Sequence, residues 1–407
     1  MTLVTATPEE VGLSSEGLAR VDAAVQAEID AGTIPGAVTL VARHGKICHV
    51  GTLGMLDIEK GKAARVDGLY RIFSMTKPVT AVAMMVLWDR GLWRPEDPVE
   101  KHLPELAGLR VLAGVEDDGA LRLEPADHPP TLTEVMTHTA GFGYGLALAD
   151  LSEPINRAYH DAKVWDAPDL AEVMARLGKL PLAYQPGTSW RYSIGMDIQG
   201  AMIERLTGRS LPDFMQDEIF APLGMVDTAF YTPPDKADRL AALYFKGGDA
   251  PLTAITNPLR PDYSAQPSLA MGGGGLVSTA GDYARFAQML LNRGQLDGQR
   301  VISEDAARLM MTNHLPDALM QKGFLAGHQH IRPGFGIGFN GVVFTDPELA
   351  GMPVGKGTYH WDGAAGTYFW VDPENDLLMV TMTQHLSYTA PPLQARSQRL
   401  MAEAIIR

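Results

Sequence analysis

Apolar residues recur along this chain with two different periods, and the two are segregated. Near the start, Leu18, Val21, Val25 and Ile29 fall on one stripe at helical spacing behind Ser14 or Ser15, which predicts an amphipathic helix within residues 12–32 capped by a serine hydroxyl. Residues 36–43 and 46–51 then read as the strands of a β-hairpin joined at His44-Gly45. The far end repeats the arrangement: residues 367–371 and 377–382 read as strands around a turn at 372–376, and residues 394–406 close as a helix. From residue 74 to about residue 267, helical patterns and loops dominate, punctuated by Pro129-Pro130 and Gln185-Pro186-Gly187. This distribution predicts an α/β fold of the α+β kind, an antiparallel sheet built from both chain termini and flanked by helices, with a mostly helical region inserted between its halves. The expected division is an α/β domain from residues 1–73 and 268–407 and a mostly helical domain from residues 74–267, with the active site at their interface. Long loops of the insertion, such as Val115-Glu116-Asp117-Asp118-Gly119, are expected as walls of a substrate cleft.

One segment departs from amphipathic patterning. From Pro78 to Trp88 the chain is apolar almost all round, the pattern of a buried helix. At its head stands Ser74-Met75-Thr76-Lys77, and no other serine in the chain has a lysine three residues on. That spacing puts both side chains on one face of a first helical turn. A serine hydroxyl is a poor nucleophile at neutral pH and needs a base within hydrogen-bond reach. A lysine at the first turn of a buried helix is either paired or has a depressed pKa, and in the second case it is such a base.

Composition narrows the partners. The 407 residues, 46% hydrophobic and 20% charged, are those of an ordinary globular protein with room for a sizeable core. A net charge of -14 argues against nucleic acid and against anionic membrane surfaces, which leaves a small molecule as the expected partner; nothing in the sequence sets an oligomeric state. The lone cysteine, Cys48, forms no internal disulfide and is expected as a small buried hydrophobe. The first ten residues carry neither a basic nor an apolar leader segment, so a cytoplasmic location is expected. No cofactor or metal is expected: His314 and His328-Gln329-His330 lack a carboxylate or cysteine at ligand spacing, and Met84-Met85 and Met310-Met311 read as core filling. The run Gly272-Gly273-Gly274-Gly275 lacks both the Lys-Ser/Thr ending and the spaced glycines of nucleotide loops, and reads as a tight turn with close backbone packing.

A Ser-Lys pair needs a third group to pass the proton to the leaving group, and two N–H donors for the oxyanion. In Ser189-Trp190-Arg191-Tyr192-Ser193-Ile194-Gly195 the phenol of Tyr192 stands just before a helical run, Met196 to Thr207, and beside an ammonium its pKa is expected to fall. In His360-Trp361-Asp362-Gly363-Ala364-Ala365-Gly366, expected at the start of a strand, small residues allow close backbone approach and an N–H for the oxyanion. The N–H of Ser74, at a helix N-terminus, would be the other donor.

With these segments the chain resembles the serine β-lactamase and penicillin-binding-protein superfamily over almost its whole length, from Ile34-Pro35-Gly36-Ala37 to Trp370-Val371-Asp372-Pro373. The resemblance is nearest to family VIII carboxylesterases and to acyltransferases of the simvastatin-synthase type. Ser74 to Lys77 matches the superfamily's S-x-x-K, Tyr192 its tyrosine motif, and Leu132-Thr133-Glu134-Val135-Met136-Thr137-His138-Thr139-Ala140-Gly141 a signature in which His138 is taken as structural. The resemblance implies Ser74 as acylated nucleophile, Lys77 and Tyr192 as proton-transfer pair, and the N–H groups of Ser74 and Ala364 as oxyanion hole. Trp361, Asp362 and Gly363 would touch the substrate.

Two departures set the expected substrate. Class C β-lactamases carry H-K-T-G at the third motif, where this chain has His360-Trp361-Asp362-Gly363, and asparagine at the third position of the tyrosine motif, where it has Ile194. The cation is gone and an anion stands nearby. The sequence therefore predicts a serine carboxylesterase acting on neutral esters. A β-lactamase or D,D-peptidase-like penicillin-binding protein, an acyltransferase of the same fold, and a catalytically weak binder of acyl compounds are the alternatives. The α/β-hydrolase elbow G-x-S-x-G does not occur.

Overall fold

The computed structural model describes residues 4–146, 151–258, 260–326, 329–387 and 393–406. Helix α1 (Ser15–Asp30) starts where Ser14 accepts the Gly17 N–H at 3.2 Å, and it buries Leu18, Val21 and Val25. Strands β1 (Gly36–Arg43) and β2 (Lys46–Asp57) follow, joined at His44 and Gly45. Both turn residues have positive φ, 53° and 72°, as the mirror-image two-residue hairpin turn requires.

The rest of the main sheet comes from the other end of the chain: β3 (Phe335–Gly338), β4 (Gly341–Phe344), β5 (Tyr359–Asp362), β6 (Tyr368–Asp372) and β7 (Leu377–Met382). The order across the sheet is Val4–Thr5, β2, β1, β7, β6, β5, β4, β3, all antiparallel apart from the parallel edge pair of Val4–Thr5 with β2. The two ends of the chain meet at the β1–β7 ladder, from Leu377 opposite Arg43 to Met382 opposite Val38. The hairpin tips are tied as well, by His44 Nδ1 and Asp376 Oδ2 at 2.9 Å. The sheet from both termini that the sequence predicts is thus the observed one.

Helices cover both faces of that sheet. Among the remaining helices are α2 (Thr76–Asp89), α3 (Leu132–Met136), α4 (Gly195–Thr207), α5 (Ala280–Leu291) and α6 (Leu393–Ala404). On one face α1 and α6 share a core with Val41, Trp370 and Met379; Cys48 is buried in that layer, where burial pushes its thiol up to about 11. On the other face α5 packs against β1, β6 and β7. Every residue of α2 from Thr76 to Leu87 is buried, Met84 and Met85 included, as apolar patterning on all sides demands. Among the described residues no helix is long and apolar enough to cross a membrane.

The segment between α2 and α5 is less purely helical than its pattern suggests. It also holds a hairpin of Arg110–Val115 with Leu121–Pro125, and a second of Leu243–Lys246 with Thr253–Ile255. The stretch read as a cleft wall, residues 115–119, is the tip of the first hairpin and is exposed throughout. Its acidic residues face solvent because a two-stranded ribbon has no interior to offer them.

Candidate active site

Ser74 lies in a single 3₁₀ turn, Phe73–Met75, that runs straight into α2. Phe73, just before it, has φ 43°, a left-handed conformation that a bulky side chain adopts only when its surroundings impose it. Lys77, three residues on, is wholly buried, and its Nζ lies 3.2 Å from Ser74 Oγ. The same Nζ donates to the Gly273 carbonyl at 2.5 Å and lies 3.4 Å from Tyr144 OH. Burial in the apolar head of α2 pushes the Lys77 ammonium down to about 7, and the negative charges of Asp197 and Asp362 act the other way.

Tyr192 reaches the same hydroxyl from the loop before α4, its OH donating to Ser74 Oγ at 2.8 Å. The structure therefore brings together the three residues that the sequence singles out. The expected lowering of the Tyr192 pKa is corrected: burial raises it well above the ordinary phenol value, the charges of Asp362 and Asp197 raise it further, and the hydrogen bond to Ser74 opposes this only in part. Desolvation disfavours the phenolate more than its hydrogen bonds favour it.

The loop that carries Tyr192 is fastened by His138. The His138 carbonyl accepts the Arg191 N–H at 2.9 Å, and its Nδ1 accepts the Ser193 N–H at 3.1 Å, so the N–H groups of the residues before and after Tyr192 are both held. His138 is itself buried, held by that burial well below the usual imidazole pKa, and its ring lies 4.8 Å from the Tyr192 ring. It is a neutral structural histidine, as taken from the sequence.

The third segment differs in position from its sequence reading. His360, Trp361 and Asp362 form the end of β5, not the start of a strand, and residues 363–367 make the turn into β6, with Asp362 still paired opposite Tyr368. A side chain on Gly363 would collide with the Ile72 carbonyl and with Thr367 Oγ1, so this glycine lets the turn press against the backbone two residues ahead of Ser74. Ala364, the next residue, is exposed, and its N–H makes no hydrogen bond among the described residues. The Ser74 N–H lies in the first turn of its helix, where amides have no intrahelical acceptor. Trp361 stacks on the Tyr192 ring, 6.0 Å between centroids and 13° between planes.

Three further residues complete the cluster: Tyr144 and Asp197, absent from the sequence reading, and Gly273, read there only as part of a tight turn. Gly273 belongs to the glycine run, which is a backbone clamp: the Gly272 carbonyl takes the Thr80 hydroxyl at 2.7 Å, and the Leu276 N–H goes to Thr76 Oγ1 at 3.2 Å. Tyr144 is half-buried beside Lys77, and its carbonyl takes the Trp165 indole N–H at 2.7 Å. Asp197, in the first turn of α4, accepts the Gly273 N–H at 3.2 Å. Among the described residues no three histidine, cysteine or acidic side chains converge as a metal site. His314 stacks on Phe339 and lies 2.8 Å from the Leu309 carbonyl, while His328 is outside the described residues.

A serine hydroxyl held between an amine near neutrality and a neutral phenol, beside a strand-end turn with a free N–H, is an arrangement suited to acyl transfer. Comparison with known proteins agrees with it. The Beta-lactamase family profile matches residues 21–403. Protein Rv1367c of Mycobacterium tuberculosis is 38% identical over 369 residues, 89% of each chain, and Esterase EstB of Burkholderia gladioli is 30% identical over 415 residues, 96% of this chain and 97% of that one. Among solved structures, EstCE1, described as a hydrolase with promiscuous acyltransferase activity, superposes with a TM-score of 0.76 at 26% identity, covering 96% of this chain and 99% of its own. The chain belongs to the beta-lactamase family, whose members similar to it include esterases and acyltransferases.

Proposed function

We propose that this member of the family is a serine carboxylesterase that cleaves neutral esters through an acyl-Ser74 intermediate. One observation carries the reading: Ser74 Oγ is hydrogen-bonded on two sides, to Lys77 Nζ at 3.2 Å and to Tyr192 OH at 2.8 Å. Neutral Lys77 takes the Ser74 proton as Oγ attacks the ester carbonyl, and the N–H groups of Ser74 and Ala364 hold the oxyanion. The Tyr192 phenol, protonated throughout the neutral range, gives its proton to the departing alkoxide and regains one from the Lys77 ammonium, whose Nζ lies 4.7 Å from the centre of its ring. Water then repeats the sequence on the acyl-enzyme, and an alcohol in its place would give acyl transfer, the activity named for EstCE1.

Trp361, Asp362 and Gly363 form the wall that the substrate meets, and Asp362 makes that wall unfavourable for a carboxylate. The partner is a small ester and the chemistry calls for no cofactor. The test is a panel of p-nitrophenyl esters of increasing chain length run beside nitrocefin, with Ser74→Ala as control. Ester turnover that disappears in Ser74→Ala supports the reading, and efficient nitrocefin cleavage with poor ester turnover overturns it.

A further inference from the structure

Asp197 is fully buried, yet only one of its carboxylate oxygens is hydrogen-bonded: Oδ1 accepts the Gly273 N–H at 3.2 Å, and Oδ2 has no hydrogen-bond partner among the described residues. A carboxylate with an unbonded oxygen in an apolar interior is unfavourable unless a cation faces it. The geometry supplies one. Lys77 Nζ donates to the carbonyl of Gly273, the residue whose N–H binds Asp197. A methyl group placed on Gly273 would sit 3.0 Å from Asp197 Oδ2, 3.3 Å from Lys77 Nζ and 3.3 Å from Tyr144 OH, so the three side chains converge on the space that this glycine leaves open.

We infer that Asp197 is a positioning residue for Lys77: its carboxylate faces the Lys77 amine across Gly273 and fixes both the charge state of that amine and its place beside Ser74. The inference rests on the Ser74–Lys77–Tyr192 reading and adds a fourth member to it. The titratable groups around the pair come from every neighbouring element: Lys77 from α2, Tyr144 from the loop after α3, Tyr192 from the loop before α4, Asp362 from the end of β5, and His138, which is neutral. Among the described residues Lys77 is the cation acting on Asp197, and burial raises the carboxyl to about 6 against that attraction. Burial pulls the amine down while Asp197 holds it up, and the balance leaves Lys77 able to exchange a proton near neutral pH.

Asp197→Asn separates this role from a purely structural one, because the amide oxygen still accepts the Gly273 N–H while the charge is lost. The pH dependence of kcat/KM for a p-nitrophenyl ester, and of fluorophosphonate labelling of Ser74, would be measured in both proteins. The acid limb of the variant should move down by about one pH unit, so that at low pH it retains about ten times more of its maximal rate than the parent does. An acid limb that stays in place in a folded, active variant overturns the inference. Should the variant not fold, ¹³C NMR of the unmodified protein decides: Lys77 Cε and Asp197 Cγ signals that respond to the same ionisation support the pairing, and a Lys77 signal that titrates with no response at Asp197 overturns it. If Ser74→Ala keeps ester turnover, the underlying reading fails instead, and the two failures are therefore distinguishable.

Discussion

Tyr192 OH donates to Ser74 Oγ at 2.8 Å, while burial keeps that phenol protonated far above neutral pH. In the proposed mechanism the acceptor of the first proton is therefore Lys77, held down to about 7, and the two residues act as one relay with different jobs. Lys77→Ala and Tyr192→Phe should each reduce kcat by roughly 10²- to 10⁴-fold. The double variant should lose little more than the worse single one, because either break stops the same relay. Losses that multiply would show independent roles.

The same assignments fix the sign of the pH dependence. Below about pH 7 Lys77 is an ammonium and cannot take the Ser74 proton, so kcat/KM should rise with pH through that region. Tyr192 works in its protonated form and its pKa is raised, so no fall from its ionisation is expected below pH 10. A rate profile from pH 5 to 10 checks both limbs. An acid limb near 4, the range of an unperturbed carboxylate, would exclude Lys77 as the group that titrates.

Neighbouring glycines should respond unequally to one methyl group. At Gly273 the added carbon lies within 3.0 Å of Asp197 Oδ2 and 3.3 Å of Lys77 Nζ, whereas at Gly274 nothing is closer than the Phe73 backbone at 3.9 Å. Gly273→Ala should displace the amine and lower kcat by about 10²-fold with a smaller change in melting temperature. Gly274→Ala should leave turnover near that of the parent. Steady-state kinetics with thermal melts compares them, and equal losses at both positions would mean that the run matters only as a fold element.

The limits of the sequence reading follow from which signals are local. The His44-Gly45 turn and the apolar helix after Ser74 are written in contiguous residues, and the sheet ends and the Ser74–Lys77 pair are legible from them. Asp197 carries no such signal until burial is known. It stands five residues past Tyr192, between Met196 and Ile198, and a lone acid in an apolar helix start reads equally well as a cap. Tyr144 lies in an irregular segment with no periodicity, and Gly273 becomes informative only once α2 and α4 are seen to close around it. The Tyr192 pKa differs from its expected direction for the same reason: the adjacent cation is visible in the sequence pattern and the desolvation is not.

His138 offers a test of positioning without chemistry. Among the described residues it makes no hydrogen bond to Ser74, but it holds the N–H groups of the residues before and after Tyr192. His138→Ala should lower kcat by about 10-fold or more while KM changes little, since the loss is in the placement of Tyr192. His138→Asn, whose side-chain oxygen can accept the Ser193 N–H, should recover part of it. An alanine variant that raises KM alone would place His138 in substrate binding instead.

Substrate choice should follow the end of β5. Trp361 stacks on Tyr192, and Asp362, half-buried beside it, adds a negative charge that acts on both Lys77 and Tyr192. A β-lactam of the cephalosporin type brings a carboxylate toward this wall, where it meets the Asp362 carboxylate; a neutral ester has no such repulsion. Trp361→Lys with Asp362→Thr, the residues class C enzymes carry at these positions, should therefore raise nitrocefin turnover relative to p-nitrophenyl butyrate turnover. The substitution also removes a stacking partner of Tyr192 and one of the two charges that hold the Lys77 ammonium up, so ester turnover should fall and the acid limb should move to lower pH. Fluorophosphonate labelling of Ser74 separates the two effects, because the neutral probe reports the nucleophile without the carboxylate. An unchanged ratio of nitrocefin to ester turnover, with Ser74 still reactive, would mean that the charge at Asp362 does not select the substrate. A parent protein that already prefers nitrocefin would mean the same, and would replace the esterase reading with a β-lactamase one.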